Sequence, residues 1–409
     1  MLLQFSFKNH RSIKDEVIFS TLASSGTEHI NTLIDFDKDK YVRAAEIYGA
    51  NGSGKTSVLD ALARMQSIVI NSNKNEPGDV IPRMPHKLTA SQPTEFCCIF
   101  EKDNIKYSYQ FSYDEEGIKE ESLFYWPNGR SAKIFERTGE SFEFGSNFQK
   151  YTETTKNYFK KNKLLLSVAA NVTDIEEITN AFLFFKKDIV MFPGEPNDWL
   201  EYSANKLQSD SQVKKEFIKI MQEIGSDICD ITSKLETRIP KEEEVKDLPD
   251  ILKKLVISQP MNYVDIQLVY NNLILNLNEE SAGVQKLFSF ICPLLDILEN
   301  DKVFICDEIE RSLHPSVVSY FVDKFQLNNK TKSQIIFTTH DTDLLDLNQI
   351  RRDQIWFTEL NPKGRQTDLY SLCEIKNVRK DENIKKGYIM GKYGAIPMPN
   401  SQIQEVCGE

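Results

Sequence analysis

The sequence is short of several things, and each shortage narrows what the chain can do. No run of about 18 consecutive apolar residues occurs, so no membrane-crossing helix is expected. The opening MLLQFSFKNHRS lacks a basic head, an apolar core and a small-residue cleavage site, and a cytosolic (cytoplasmic) protein is expected. Seven cysteines are present but form no CxxC pair, and the five histidines are scattered, so no zinc site is expected. The cysteines read as reduced, mostly buried thiols. Basic residues are outnumbered, giving a net charge of −11, which argues against a general grip on nucleic acid. Internal repeats, low-complexity tracts and sustained heptads are missing, so a long coiled coil is not expected. What remains is a chain of 409 residues, 40% hydrophobic and 27% charged, large enough for one big domain with insertions or for two or three ordinary ones.

Hydrophobic patterning divides the chain into three parts. Leu3, Phe5 and Phe7, then Val17, Ile18 and Phe19, read as two strands around a turn at 8–15. Residues 71–93, rich in Asn, Pro and Gly, read as a loop. From 94 to 126 the runs FCCIF, KYSYQFSY and ESLFYW, separated by DN and EEG, read as an antiparallel β subdomain that continues to about residue 144. Residues 150–235 read mainly as helices, including 175–187 and 213–224, and the charged KEEEVKDLPDILKKL from Lys241 reads as a helical hairpin. After Tyr263, VDIQLVY and LILNL read as strands, 284–298 as a helix, and VFICDE, QIIFTTH and DQIWFTEL as further strands, the first two with the continuous apolar runs of buried parallel strands. The two ends of the chain therefore form one α/β unit, 1–145 with 263–409, around an inserted, mainly helical region, 146–262.

The stretch GANGSGKTS carries the chemistry. Gly49-Ala50-Asn51-Gly52-Ser53-Gly54-Lys55-Thr56 matches G-x-x-x-x-G-K-[ST] in full, between a strand and a helix, with Ser57 following. Its glycines let successive N–H groups turn toward phosphates, and the next helix adds its positive N-terminal end. Lys55 is expected to reach the β- and γ-phosphates and Thr56 to bind Mg²⁺. Such a loop needs a metal-binding acid at the end of a neighbouring strand, and VFICDE supplies Asp307. Glu308 follows directly, where a carboxylate can polarise the attacking water.

Together these two elements resemble the ABC-type ATPase head of SMC-like and OLD-like proteins. ESAGVQKLF, from Glu280, resembles the ABC signature, with Ser281, Gly283 and Gln285 retained and Glu280 and Val284 departing from it. EIERSLHP resembles the D-loop, and IIFTTHD the strand with the switch histidine, His340. FSFKNHRS resembles the opening of SMC-like heads, which makes Arg11 a candidate contact near the nucleotide; Ser167 falls about where the Q-loop glutamine is expected. The resemblance covers roughly 1–60 and 265–360. It implies an α/β, ABC-type P-loop head binding ATP and Mg²⁺, with Glu308, His340 and Lys55 catalytic. It further implies a homodimer or higher homo-oligomer, in which Ser281 and Gly283 of one chain meet the nucleotide of the other.

The layout as a whole resembles the RloA or AbiL-type branch of OLD-like ATPases, including the closing YIMGKYGAIPMP, where Gly391 and Gly394 allow a tight turn around Tyr393. That resemblance implies anti-phage defence beside an effector, a nuclease or toxin. The alternative is a RecF- or SMC-like DNA repair ATPase, with DNA as partner through the lysine stretches at 150–163 and 376–392, which otherwise read as solvated faces. A self-contained OLD nuclease would need a further metal-binding domain, and only residues 341–409 follow His340.

Overall fold

The computed structural model describes residues 1–192, 199–241, 245, 249–379 and 382–396. Contacts divide the chain into two compact units: Met1–Phe192 with Asn300–Glu310 and Phe321–Glu409, and Pro193–Glu299 with Arg311–Tyr320. These limits differ from the sequence boundaries near 145 and 262. Residues 146–192 go with the first unit, and 263–299 with the second.

In the first unit, β1 (Leu2–Lys8) and β2 (Val17–Ser20) pair antiparallel around the expected turn. A small hairpin follows, β3 (Ile34–Phe36) and β4 (Asp39–Tyr41), then β5 (Ala44–Gly49) and helix α1 (Lys55–Asn71). The β subdomain consists of β6 (Thr94–Lys102), β7 (Ile105–Tyr113), β8 (Ile118–Trp126), β9 (Ala132–Thr138) and β10 (Ser141–Phe144). With β1 and β2 they make a seven-stranded sheet, ordered β10-β9-β8-β7-β6-β1-β2, whose neighbouring strands are antiparallel. Burial alternates along β6 and β7, as a sheet with one covered face requires. Phe5, Phe7, Phe96, Tyr109 and Phe111 on that face share one core with Leu59, Leu62 and Met65 of α1.

Helices α2 (Thr152–Lys156), α3 (Leu165–Val172) and α4 (Glu176–Leu183) follow. The helix read over 175–187 ends as a π turn, Phe184–Asp188. The wider turn brings two consecutive aromatics inward: Phe184 stacks on Phe100 at 4.1 Å and Phe185 meets the same ring edge-on at 5.5 Å. Strand β11 (Ile189–Phe192), four residues long, was not legible from periodicity.

The second unit contains α5 (Leu200–Ser209), α6 (Ser211–Glu223), β12 (Asp230–Arg238), α7 (Asp250–Ile257), β13 (Met261–Val269), β14 (Ile274–Asn276) and α8 (Ala282–Glu299). β12, β13 and β14 form an antiparallel sheet. Of the hairpin expected from Lys241, residues 242–244 and 246–248 lie outside the described residues, and α7 is its helical part.

The chain then supplies β15 (Val303–Cys306), α9 (Pro315–Gln326), β16 (Gln334–Thr338), β17 (Ile355–Asn361), β18 (Gln366–Ser371) and the short α10 (Ile384–Ile389). The second sheet of the first unit runs β11-β15-β16-β5-β17-β18, parallel except for the β17–β18 hairpin. Its central runs VFIC, QIIFT and AAEIYG are wholly buried, as strands covered on both faces must be. The class is therefore the expected α/β, with an antiparallel β subdomain. Tyr388 and Tyr393 stack on Phe357, and Gly391 and Gly394 take φ of 75° and 72°, so the closing motif is packed through Ile396. Its last residues, 397–399, lie outside the described ones.

Candidate functional site

In a parallel sheet the open carboxyl ends of the strands are where ligands bind. Register puts three such ends together: Cys306 pairs with Phe337, Thr338 with Ile47, and Gly49 with Thr358. The residues that follow β15, β16 and β5 are thereby brought to one edge.

After β5 the chain curls through Gly52 and Gly54, both in the left-handed region, at φ 77° and 107°. A Cβ on Gly49 would lie 2.5 Å from the Thr358 carbonyl, and one on Gly54 2.3 Å from Thr367 Oγ1. Only glycine fits either place. Lys55 is buried, with its ammonium on the carbonyls of Gly49 (2.9 Å) and Ala50 (3.3 Å). Burial lowers its pKa, against the raising effect of Asp307, Glu308 and Glu310. Thr56 Oγ1 donates to Asp307 Oδ2 at 2.9 Å, joining residues 251 positions apart. Thr338 donates to the other Asp307 oxygen, and its hydroxyl accepts the Glu308 N–H at 2.8 Å. Glu308 itself is exposed, in a left-handed conformation of φ 48°. His340, exposed after β16, donates its backbone N–H to Glu310 Oε1 at 2.7 Å. Asn51 is exposed at the loop tip, whereas the hydroxyls of Ser53 and Ser57 are engaged by Thr358 (2.7 Å) and Ser12 (3.0 Å).

These groups fit a magnesium nucleotide. A hydroxyl and a carboxylate within hydrogen-bond reach are hard oxygen donors of the kind Mg²⁺ takes while keeping its waters and phosphate oxygens. Glycines with positive φ at a 17-residue helix N-terminus form an anion cradle.

Arg11 is held by Asp60 on the second turn of α1, with Nε to Oδ2 at 2.6 Å and a second N–H to Oδ1 at 2.8 Å. His10 Nε2 lies 2.6 Å from the same carboxyl. Burial would raise that carboxyl; the hydrogen bonds from His10 and Arg11, with the arginine charge, bring it down to about 2. Asp60, Ser12, Thr338, Thr358, Thr367 and Glu310 were all passed over in the sequence. Among them Asp60 had a local signal, one turn after Thr56.

In the second unit, Ser281 is exposed and caps α8, its hydroxyl accepting the Val284 N–H at 3.3 Å. Gly283 is needed there, since a Cβ would come within 2.8 Å of the Ser312 carbonyl. Lys286 Nζ donates to the Arg311 carbonyl at 2.6 Å, which ties the signature helix to the segment resembling a D-loop.

Ser167 cannot couple to a nucleotide. It is fully buried in α3, and its hydroxyl donates to the Val69 carbonyl near the end of α1 opposite the phosphate loop. Residues 193–198, which follow β11, lie outside the described residues. Asp341-Thr342-Asp343 is a D-x-D triplet, but Asp341 accepts the Asp343 N–H at 2.9 Å and Asp343 pairs with Lys385. No cluster of three metal-ligating side chains occurs among the described residues, and none of their helices is long and apolar enough to cross a membrane.

Both lysine stretches are largely committed to the fold. Lys156 pairs with Glu153, Lys163 donates to the Asn73 carbonyl, and Phe159 lies under Arg137. Lys160 and Lys161 line a groove of about 770 Å³ together with Asp79, Glu115, Glu116 and Glu140. In the second stretch, Lys385 and Lys392 pair with Asp343 and Glu382.

A family model described as "AAA domain, putative AbiEii toxin, Type IV TA system" matches residues 46–346. No curated protein matches the chain. Among solved structures, an SMC head bound to the C-winged helix domain of ScpA is 13% identical, covering 90% of this chain and 97% of that one at a TM-score of 0.44. The SMC head domain from Thermotoga maritima is 11% identical, with coverages of 90% and 98% and a TM-score of 0.39. An SMC head with an extended coiled coil, bound to the C-terminal domain of ScpA and derived from Pyrococcus furiosus, is 10% identical, with coverages of 96% and 98% and a TM-score of 0.35.

Proposed function

The chain belongs to this AAA-domain family, and from that premise we propose that it binds and hydrolyses ATP, dimerises around it, and controls an effector protein in defence against phage. The observation that carries the ATPase reading is the 2.9 Å hydrogen bond from Thr56 to Asp307, which joins the phosphate loop to the acid after β15.

Bound Mg·ATP supplies the phosphoanhydride bond and a metal that neutralises phosphate charge. Thr56 and Asp307 would hold the metal, directly or through water. Loop N–H groups and Lys55 hold the phosphates. Glu308 follows β15 with its backbone N–H held by Thr338 and its carboxylate exposed, and we assign that carboxylate as the base that takes a proton from water. The His340 backbone N–H is held by Glu310, and the Arg11 charge is balanced by Asp60 beside α1.

Ser281 faces solvent at the start of an 18-residue helix, an arrangement suited to a phosphate brought by another molecule. We assign it to the nucleotide of a partner subunit in a two-fold dimer. ATP then holds the heads together, and hydrolysis loosens them. The RloA/AbiL-type branch is supported by the closing motif and by the toxin-related description of the family. The acids among the lysines disfavour the DNA repair reading.

The test is native mass analysis of tagged Glu308→Gln, purified with ATP from its own host. A stoichiometric second protein supports effector control and identifies the effector. A bare dimer with co-purifying DNA would replace this reading with the repair one.

A further inference from the structure

We propose that Thr367, on β18, is a positioning residue of the phosphate loop: its hydroxyl fixes the Ser53–Gly54 peptide so that the Gly54 N–H is aimed at the phosphates. The inference rests on the ATP-binding reading above. It concerns a residue more than 300 positions from the loop, outside every motif in the sequence.

Three segments converge behind the loop. Thr367 Oγ1 lies 2.8 Å from the Ser53 carbonyl and 2.8 Å from Ser12 Oγ, and Ser12 Oγ lies 3.0 Å from Ser57 Oγ. Each hydroxyl has one proton, and the carbonyl can only accept. In this hydrogen-bond chain Thr367 Oγ1 is the donor in both of its contacts, so its one proton is shared between the Ser53 carbonyl and Ser12 Oγ, while between Ser12 and Ser57 either hydroxyl can donate. A second chain runs beside it. Ser53 Oγ lies 2.7 Å from Thr358 Oγ1, which donates to the Tyr48 carbonyl at 3.3 Å. The backbone locks the same contact, with the Thr367 N–H on the Ser12 carbonyl at 2.8 Å.

The peptide plane turns this into function. In a trans peptide the C=O and the following N–H point in opposite directions. Pulling the Ser53 carbonyl back toward β18 therefore turns the Gly54 N–H forward, away from the hairpin. The Ser53 N–H is already spent on the Ala50 carbonyl at 3.1 Å. Thr367 is fully buried, so a lost hydroxyl is not replaced by water, and the unsatisfied carbonyl favours a rotated peptide. The hairpin lies so close that a Cβ on Gly54 would meet Thr367 Cγ2 at 2.6 Å.

The experiment measures equilibrium binding of ATP and of tripolyphosphate to the full chain, with melting curves, for wild type, Thr367→Val, Thr367→Ser and Lys55→Ala. Thr367→Val keeps the shape and removes the hydroxyl. It is expected to weaken both ligands about tenfold, while its melting temperature falls by no more than about 4 °C. Thr367→Ser is expected to restore binding to within about twofold of wild type. Wild-type affinity in Thr367→Val would overturn the positioning role while leaving the ATP reading intact. So would a loss for ATP but not for tripolyphosphate, which would place the effect on the nucleoside. A wild-type chain that binds neither ligand, with Lys55→Ala no different, overturns both readings. Should Thr367→Val not fold, Thr367→Ala removes the same hydroxyl with less bulk; it is expected to weaken tripolyphosphate about tenfold, and wild-type affinity would overturn the proposal.

Discussion

The phosphate loop and the signature segment are both short polar turns at helix N-termini, yet they are held in different ways. Around the loop, Ser53, Lys55 and Ser57 are buried; Ser12, Thr358 and Thr367 reach in from other segments to hold Ser57 and Ser53, and Asp307 after β15 accepts from the exposed Thr56. Ser281 is exposed and, among the described residues, bonds to the first turn of its own helix. The loop half is preformed inside one chain. The signature half is presented outward, which is what a site completed by a second subunit would require.

Four substitutions break or sharpen that contrast, in descending order of effect. Lys55→Ala should abolish ATP binding, leaving none detectable by calorimetry, because Lys55 is the buried cation that lies on the loop carbonyls. Glu308→Gln should bind ATP normally but hydrolyse it about 10²–10⁴-fold more slowly and accumulate as a dimer; wild-type turnover in a phosphate-release assay would remove Glu308 as the base. Ser281→Arg should cost about 10²-fold in hydrolysis while leaving ATP affinity within about twofold. If affinity in the isolated subunit fell with it, the outward-facing reading of the signature would be wrong.

The smallest effect concerns Glu46, at the centre of β5. Burial raises its carboxyl to about 8, although the Tyr48 hydroxyl donates to it at 2.8 Å. Its other oxygen has no partner among the described residues. With a folded pKa above the unfolded one, the native state binds more protons than the unfolded state between about 4.5 and about 8. Stability should therefore fall as pH rises through that window. Glu46→Gln should flatten the dependence and be the more stable protein at pH 8, by a few kcal/mol at most, as urea titrations at several pH values would show.

The sequence was a good guide wherever a function needs consecutive residues. The phosphate loop, the acids after β15, the histidine after β16 and the alternating strands of the β subdomain were all legible, because their spacing is local. Glu46, inside the strand before the phosphate loop, had no signal in the sequence, since periodicity weighs a neighbourhood and not one buried side chain. Ser167 looked like a loop residue after an apolar run and is instead a buried helix residue beside α1. β11 was too short to stand out, and only pairing with β15 makes it a strand.

Sequence alone therefore determined the chemical reading: which residues would carry charge to a phosphate and a metal, and that they follow strand ends. Tertiary structure decided how those residues are held. Thr358 and Thr367 reach the phosphate loop from the far end of the chain. Asp60 turns Arg11 onto α1. Glu121, in the middle of β8, collects the N–H groups of Leu165 and Leu166, the Tyr109 hydroxyl and Arg137. A hydroxyl or a buried carboxylate gains its role from whatever folding brings within 3 Å of it, and that neighbour has no fixed distance along the chain.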